Sequence, residues 1–297
     1  MAQTQMALDS LDFDATVALA TKVAPHVDIL EIGTPCIKHN GIELLKTLRA
    51  KFPNNKILVD LKTMDAGFYE AEPFYKAGAD ICTVLGTADI GTIKGVIDVA
   101  NKYGKMAQVD LINVADKKAR TLEVAKLGAH IIGVHTGLDQ QAAGQTPFND
   151  LTMVTGLNTG AKVSVAGGVK AATVRQVVDA GADIVVAGAA IYGAADPAAS
   201  AAEITGLARG SSASAGGMGK YLPYVLIAAA ILIGLFLLKG GNSTDEMPAD
   251  SAPVVEEAMP AAEAPMEAAP MEEAPMEAAP AEEMAPAAEA APEAAAQ

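Results

Sequence analysis

A closed barrel of eight parallel strand–helix units is the fold that residues 1–209 predict, and three observations predict it. Eight short apolar runs, most ending in a polar residue, recur through the block. The intervals between them carry apolar positions at helix period, such as Ile42, Leu45 and Leu48, then Val174, Val177 and Val178. The phrases Lys76–Asp80, Lys126–His130 and Asp179–Asp183 share an Ala/Leu-Gly-Ala centre, where glycine ends a helix and the chain turns into a buried strand. Eight such units in about 200 residues fit a (β/α)8 barrel. A doubly wound open sheet is the structural alternative, but connections this short close more naturally.

The predicted strands are, in order, 5–9, 27–31, 56–60, 80–84, 106–110, 130–135, 162–166 and 183–187. Each is a run of five or six residues, long enough to cross a barrel wall. After residue 209 the composition changes. Residues 210–217, Gly-Ser-Ser-Ala-Ser-Ala-Gly-Gly, read as a flexible linker with the look of a fusion junction. Residues 218–240 contain Leu222–Leu238, seventeen residues without a charge. Eleven of them are Leu, Ile, Val or Phe. They contribute about −3 to −7 kcal/mol on the insertion scale. At 1.5 Å per residue the run spans about 26 Å, close to the hydrocarbon core. Tyr221, Tyr224, Lys220 and Lys239 flank it as interfacial anchors, so a transmembrane-like helix is expected, with a buried core helix as the bland alternative. Residues 241–297 form an Ala/Pro/Glu/Met-rich acidic tail in which Glu263–Pro270 recurs identically as Glu273–Pro280. Regular proline and charge predict a disordered polyanion there.

Charge excludes one class of function. Residues 1–209 hold 19 Lys/Arg against 22 Asp/Glu, and residues 242–297 hold 14 Asp/Glu and no cation, within an overall net charge of −15. A chain with no excess of cations is not a nucleic-acid binder. Cys36 and Cys82 sit in neither a disulfide framework nor a zinc spacing. The N-terminus lacks the basic start and apolar stretch of a signal peptide, so the barrel is expected to be cytoplasmic and the full chain membrane-anchored.

In a barrel of this type the chemistry sits where strands end. Those ends supply Asp9, Glu31, Asp60 with Lys62, Asp110, His135, Gly167–Gly168 and Gly188. Asp60-Leu61-Lys62-Thr63-Met64-Asp65 is the sharpest motif. On an extended segment Asp60 and Lys62 project to one side, where the carboxylate anchors an ammonium able to donate protons or stabilise an enolate. An ordinary surface salt bridge is the competing reading. Glu31 and Asp60 end neighbouring strands and make a hard-oxygen site suited to Mg²⁺. The plainer reading bonds them to nearby backbone or to Lys62. Gly167, Gly168, Gly188 and Ala189 follow strands seven and eight, where backbone N–H groups commonly hold phosphate. His135 faces the rim and suits acid/base work. His130 and His26 read as structural, and His39 falls in a loop after strand two that frames the site.

The phrases Ala7-Leu8-Asp9, Glu31–Pro35, Val59–Asp65, Gln108–Ile112, Val134–Asp139, Val165–Gly168 and Gly188–Pro197 resemble the 3-hexulose-6-phosphate synthases, within the orotidine 5′-monophosphate decarboxylase suprafamily. The resemblance runs over about residues 5–207. It implies aldol condensation of formaldehyde with D-ribulose 5-phosphate to D-arabino-3-hexulose 6-phosphate, in the ribulose monophosphate cycle. It also implies Mg²⁺ on Glu31 and Asp60, Lys62 at the same oxygens, and His135 as base with Asp110 its rival. Asp9 would hold sugar hydroxyls, and Gly167, Gly168, Gly188 and Ala189 the phosphate. Asp65 would reach across the interface of a homodimer with shared active sites. The nearest competitor is 3-keto-L-gulonate 6-phosphate decarboxylase, whose branch typically has Glu where Asp110 stands and Arg where Ala189 stands. Two readings from other classes are a membrane-anchored scaffold and a cation-collecting tail carrying the barrel as cargo.

Overall fold

The computed structural model describes residues 1–210, and the linker beyond Gly210, the apolar run and the acidic tail lie outside the described residues. Eight parallel strands close into a barrel in sequence order: β1 (Gln3–Leu8), β2 (Ile29–Ile32), β3 (Lys56–Thr63), β4 (Ile81–Leu85), β5 (Met106–Asp110), β6 (Ile131–His135), β7 (Lys162–Ala166) and β8 (Ile184–Ala187). The helices are α1 (Phe13–Val23), α2 (Thr34–Lys51), α3 (Gly67–Lys76), α4 (Ile90–Lys102), α5 (Lys117–Lys126), α6 (Leu138–Ala142), α7 (Phe148–Gly156), α8 (Ala171–Asp179), α9 (Ala189–Tyr192) and α10 (Pro197–Ala208). Among the described residues, no helix is long and apolar enough to cross a membrane.

Period-2 alternation divides the apolar residues of each strand between two cores. Ile29, Leu58, Ile81, Ile131, Ile184 and Val186 fill the barrel interior. Leu30, Ile57, Val59, Cys82, Val84 and Val165 point outward, under the helices. Burial on both faces is why the strands read as continuous apolar runs. The helices are fixed at both ends. Asp12, Asp89, Asp116 and Asp196 accept backbone N–H bonds at the starts of α1, α4, α5 and α10, each such cap contributing about 1 kcal/mol. Gly78, Gly128 and Gly181 take positive φ after α3, α5 and α8, as the recurrent glycine phrase predicts. Below the strands, Asp80 ties α2, β3 and β5 together. It accepts from Ile57 N at 2.9 Å and from Lys105 Nζ at 2.6 Å, and pairs with Arg49.

Two sequence expectations need correction. His39 lies within α2, not in a loop. The helix starts at Thr34, directly after β2, because Pro35 presets φ in its first turn where no N–H bond is lost. Gly41, at φ 63°, then breaks the helix. The second correction concerns β3, which runs to Thr63, past the predicted end at Asp60, and is irregular there. Val59 pairs with Cys82 and Thr63 with Val84, so four residue steps on β3 match two on β4. Lys62 sits in this irregularity at φ 46°, a left-handed conformation costing a non-glycine residue about 1–3 kcal/mol. Asp60 and Lys62 do share a side, but a bulge rather than plain extended backbone puts them there.

Candidate active site

The bulge delivers Asp60 and Lys62 to the C-terminal rim, and the adjoining strand ends complete a chain of charged groups. Lys62 Nζ donates to Asp60 Oδ2 at 2.6 Å and to Asp110 Oδ2 at 3.3 Å. Asp110 Oδ2 also lies 2.9 Å from His135 Nδ1. The ammonium therefore bridges β3 to β5, and Asp110 links it to β6. Asp60 and Asp110 are 6% and 2% exposed, so this is not a surface salt bridge. The carboxylates are held from several directions. Thr34 Oγ1 donates to Asp60 Oδ2 at 2.7 Å and Thr83 Oγ1 to Asp60 Oδ1 at 2.7 Å. Ile112 N donates to Asp110 Oδ1 at 2.9 Å, and Gln5 Nε2 to Glu31 Oε2 at 2.7 Å.

Each perturbed group has an identifiable cause. Burial, then the Asp60 charge, pushes the Glu31 carboxyl up to about 8. Asp9 is raised for the same two reasons. Burial opposes the charge on Lys62, but Asp60 and Asp110 outweigh it and hold the ammonium above its ordinary range. Burial likewise opposes ionisation of Asp110, yet the His135 ring and Lys62 hold that carboxyl below its usual value. His135 is raised, because Asp110 overcomes the effect of burial. With Nδ1 turned to Asp110, a proton on Nδ1 leaves the lone pair on Nε2.

Among the described residues, no group of three or more His, Cys, Asp or Glu side chains could hold a metal ion unaided. Mg²⁺ asks for less, one or two carboxylates with the remaining positions filled by water and substrate oxygens. Glu31, Asp60 and Asp9 repel one another in a buried place, and a divalent cation relieves that repulsion. Hard oxygen donors and accumulated negative charge fit the ion.

Glycine makes room for two rim features. A Cβ at Gly33 would lie 2.1 Å from Asp9 Oδ1, so only glycine lets that carboxylate lean in. At Gly167, φ is 110° and a Cβ would lie 2.5 Å from Thr136 O. Gly168 is also at positive φ, and Gly188 and Ala189 open the short α9.

Asp65 is not brought into the cluster. It is exposed on the loop before α3 and its Oδ1 accepts from Ala66 N at 2.7 Å. It lines a separate cavity of about 520 Å³ with Phe68, Tyr69, Asp89 and Thr92. Tyr69 is 83% and Met64 54% exposed beside it. A second cavity, about 530 Å³, lies under the barrel around Asp28, Asn55 and Lys56, away from the rim. His130 is structural. Its Nδ1 accepts from Ala107 N at 3.1 Å, and burial lowers its pKa. Sequence reading missed Gln5 on β1, Thr83 on β4 and Thr34 at the start of α2, which aim the carboxylates and carry no spacing signal.

The chain has relatives among known proteins. The model for the orotidine 5′-phosphate decarboxylase / HUMPS family matches residues 2–204. The chain belongs to that family. Within it, 3-hexulose-6-phosphate synthase from Methylomonas aminofaciens is 88% identical over 209 residues, which are 70% of this chain and 100% of that one. A crystal structure of a 3-hexulose-6-phosphate synthase is 46% identical with a TM-score of 0.66, covering 69% of this chain and 99% of that chain. The 3-keto-L-gulonate-6-phosphate decarboxylase structure from Vibrio cholerae is 27% identical with a TM-score of 0.63, covering 70% of this chain and 97% of that chain.

Proposed function

We propose that residues 1–209 condense formaldehyde with D-ribulose 5-phosphate to give D-arabino-3-hexulose 6-phosphate, the formaldehyde-fixing reaction of the ribulose monophosphate cycle. The observation that carries this reading is the bridged row Asp60–Lys62–Asp110–His135, which sets a base beside a fixed cation at one rim. Identity of 88% and 46% to synthases, against 27% to the decarboxylase, favours this family branch.

The reaction removes a proton from carbon 1 of the sugar, beside its carbonyl. His135 Nε2 accepts that proton. Asp110 holds the ring through Nδ1 and stabilises the imidazolium, the role of an orienting carboxylate rather than of the base itself. Lys62 places positive charge where the enediolate oxygens develop negative charge. Carbon 1 then attacks the formaldehyde carbon, its C=O electrons move to oxygen, and protonation of that oxygen gives the new hydroxymethyl group. Glu31 and Asp60 would hold Mg²⁺, which when bound supplies Lewis-acid charge to the sugar oxygens. Asp9 bonds sugar hydroxyls, and backbone N–H groups at Gly167, Gly168, Gly188 and Ala189 receive the phosphate.

Asp65 completes the site of a second subunit in a homodimer. Its separation from the cluster of its own chain, beside exposed Met64 and Tyr69, supports this role. The apolar run 222–238 anchors the chain to a membrane while the barrel works in the cytoplasm, a reading that rests on its uncharged length.

The test is formaldehyde consumption by purified full chain with D-ribulose 5-phosphate, before and after EDTA and after Mg²⁺ is restored. Turnover that is lost with EDTA and regained with Mg²⁺ is expected. Inactivity with both substrates and metal present would overturn the assignment, and full activity in metal-free enzyme would overturn the Mg²⁺ role.

A further inference from the structure

One residue of β4 stands opposite the whole irregular stretch of β3. Between the pairs Val59–Cys82 and Thr63–Val84, the single residue Thr83 faces Asp60, Leu61 and Lys62. Ordinary ladder bonds do not cover that mismatch, and the Thr83 side chain spans it. Its Oγ1 accepts the backbone N–H of Lys62 at 2.9 Å and donates to Asp60 Oδ1 at 2.7 Å. A hydroxyl has one hydrogen and two lone pairs, so it can do both at once. Thr83 is 1% exposed, and its rotamer is restricted by β-branching and close packing.

Thr34 also reaches Asp60, but it shares one hydrogen between Asp60 O at 2.9 Å and Oδ2 at 2.7 Å, and it makes no bond to Lys62. Among the described residues, Thr83 alone is hydrogen-bonded both to the Lys62 backbone and to the Asp60 carboxylate. We propose that Thr83 is a positioning residue whose hydroxyl locks the β3 bulge and aims the Asp60 carboxylate, so that Lys62 and the metal-binding oxygens keep their spacing. The proposal rests on the synthase reading for its catalytic readout, but not for its metal-binding one. Groups that orient a ligating carboxylate typically affect metal affinity or activity by about 10–100-fold.

The experiment compares Thr83→Val, which keeps the shape and removes the hydroxyl, with Thr83→Ser, which keeps the hydroxyl. Two quantities are read on the full chain: Mn²⁺ affinity by calorimetry without substrate, and kcat and KM for D-ribulose 5-phosphate with formaldehyde. Thr83→Val should weaken Mn²⁺ binding and lower kcat, each by about 10–100-fold, while KM stays within threefold. Thr83→Ser should restore both to within threefold of wild type. Valine matching wild type in Mn²⁺ affinity would overturn the proposal. So would serine being as impaired as valine, since the methyl group and not the hydroxyl would then matter. Should Thr83→Val fail to fold, Thr83→Ala against Thr83→Ser at matched circular dichroism makes the same comparison. A wild-type chain that binds Mn²⁺ but has no synthase activity refutes the reaction and leaves the metal-affinity comparison to decide the role of Thr83.

Discussion

Replacing Lys62 by methionine removes one charge and keeps most of the side-chain volume, so it isolates the ammonium. Two effects follow from its position between Asp60 and Asp110. In the transition state, the positive charge facing the developing enediolate is lost. Removing one such stabilising group costs about 2.7–4 kcal/mol, or 10²–10³-fold in kcat. In the ground state, two buried carboxylates lose their shared cation. Breaking a buried pair from one side destabilises by about 3–5 kcal/mol. For a domain of this size that lowers Tm by about 6–20 °C, at roughly 2–4 °C per kcal/mol. The assay pairs steady-state kinetics with thermal melts, and a second variant separates the two effects. Adding Asp110→Asn to Lys62→Met removes one of the stranded charges, so it should recover part of the lost Tm and none of the lost kcat. If Lys62→Met stays within threefold of wild type in kcat and within 2 °C or so in Tm, the bridge has no energetic content and the reasoning from burial fails.

Asp110→Asn should shift the acid limb of kcat/KM to lower pH. Asp110 raises the pKa of His135, which must be deprotonated to act as base, so removing the carboxylate lowers the pKa at which activity appears; a limb that stays in place or moves up would exclude His135 as that base. Mixing inactive Asp65→Ala with inactive Lys62→Ala chains should regenerate activity once subunit exchange is shown by mass, because one site of each heterodimer then holds both groups, and exchange without recovery would place Asp65 in its own chain's site or in none. A chain ending at Arg209 should stay soluble and match the full chain per site, while the full chain should pellet with membranes after carbonate washing; aggregation of the short chain would mean that the barrel needs residues 210–297 to fold.

The barrel was legible because its signals are local and repeated. Each strand is a buried apolar run, and three units share a glycine phrase whose positive φ the structure displays at Gly78, Gly128 and Gly181. The rim was legible for a related reason: closing the barrel sends every strand end to one face, so Asp60, Asp110 and His135 converge without their spacing in sequence mattering. The β3 bulge was not legible, because register depends on which residues of β4 pair with it, and no pattern within residues 56–63 records that. Thr83 stayed hidden for the same reason, since a threonine in a strand is unremarkable until its partner is known, and Thr34, at the start of α2, carries no local mark of its reach to Asp60. The start of α2 was misplaced because the rim loop was expected to be longer, whereas Pro35 nucleates the helix at once. Asp65 was correctly set beyond the strand, but its place beside Phe68 and Tyr69 emerges only in the folded chain.

Seven of the eight strand contacts join neighbours in sequence, whereas the eighth, β8 to β1, joins the two ends of the barrel. Another contact also joins the two ends of the described chain: Arg209 Nη2, after α10, donates to Asp28 Oδ1 at 2.7 Å across 181 residues, and Asp28 Oδ2 accepts from Thr4 N at 2.9 Å within the β1–β2 pair. Closing a loop of that length costs about 1.7 kcal/mol more entropy than closing one of roughly 27 residues, the span of a single strand–helix unit. The seam is therefore the last contact to become worth forming and the first to part. Substitutions there should quicken unfolding with little effect on the rate of folding. The chemistry thus draws on the ends of several strands, whereas the durability of the barrel turns on the joint between two.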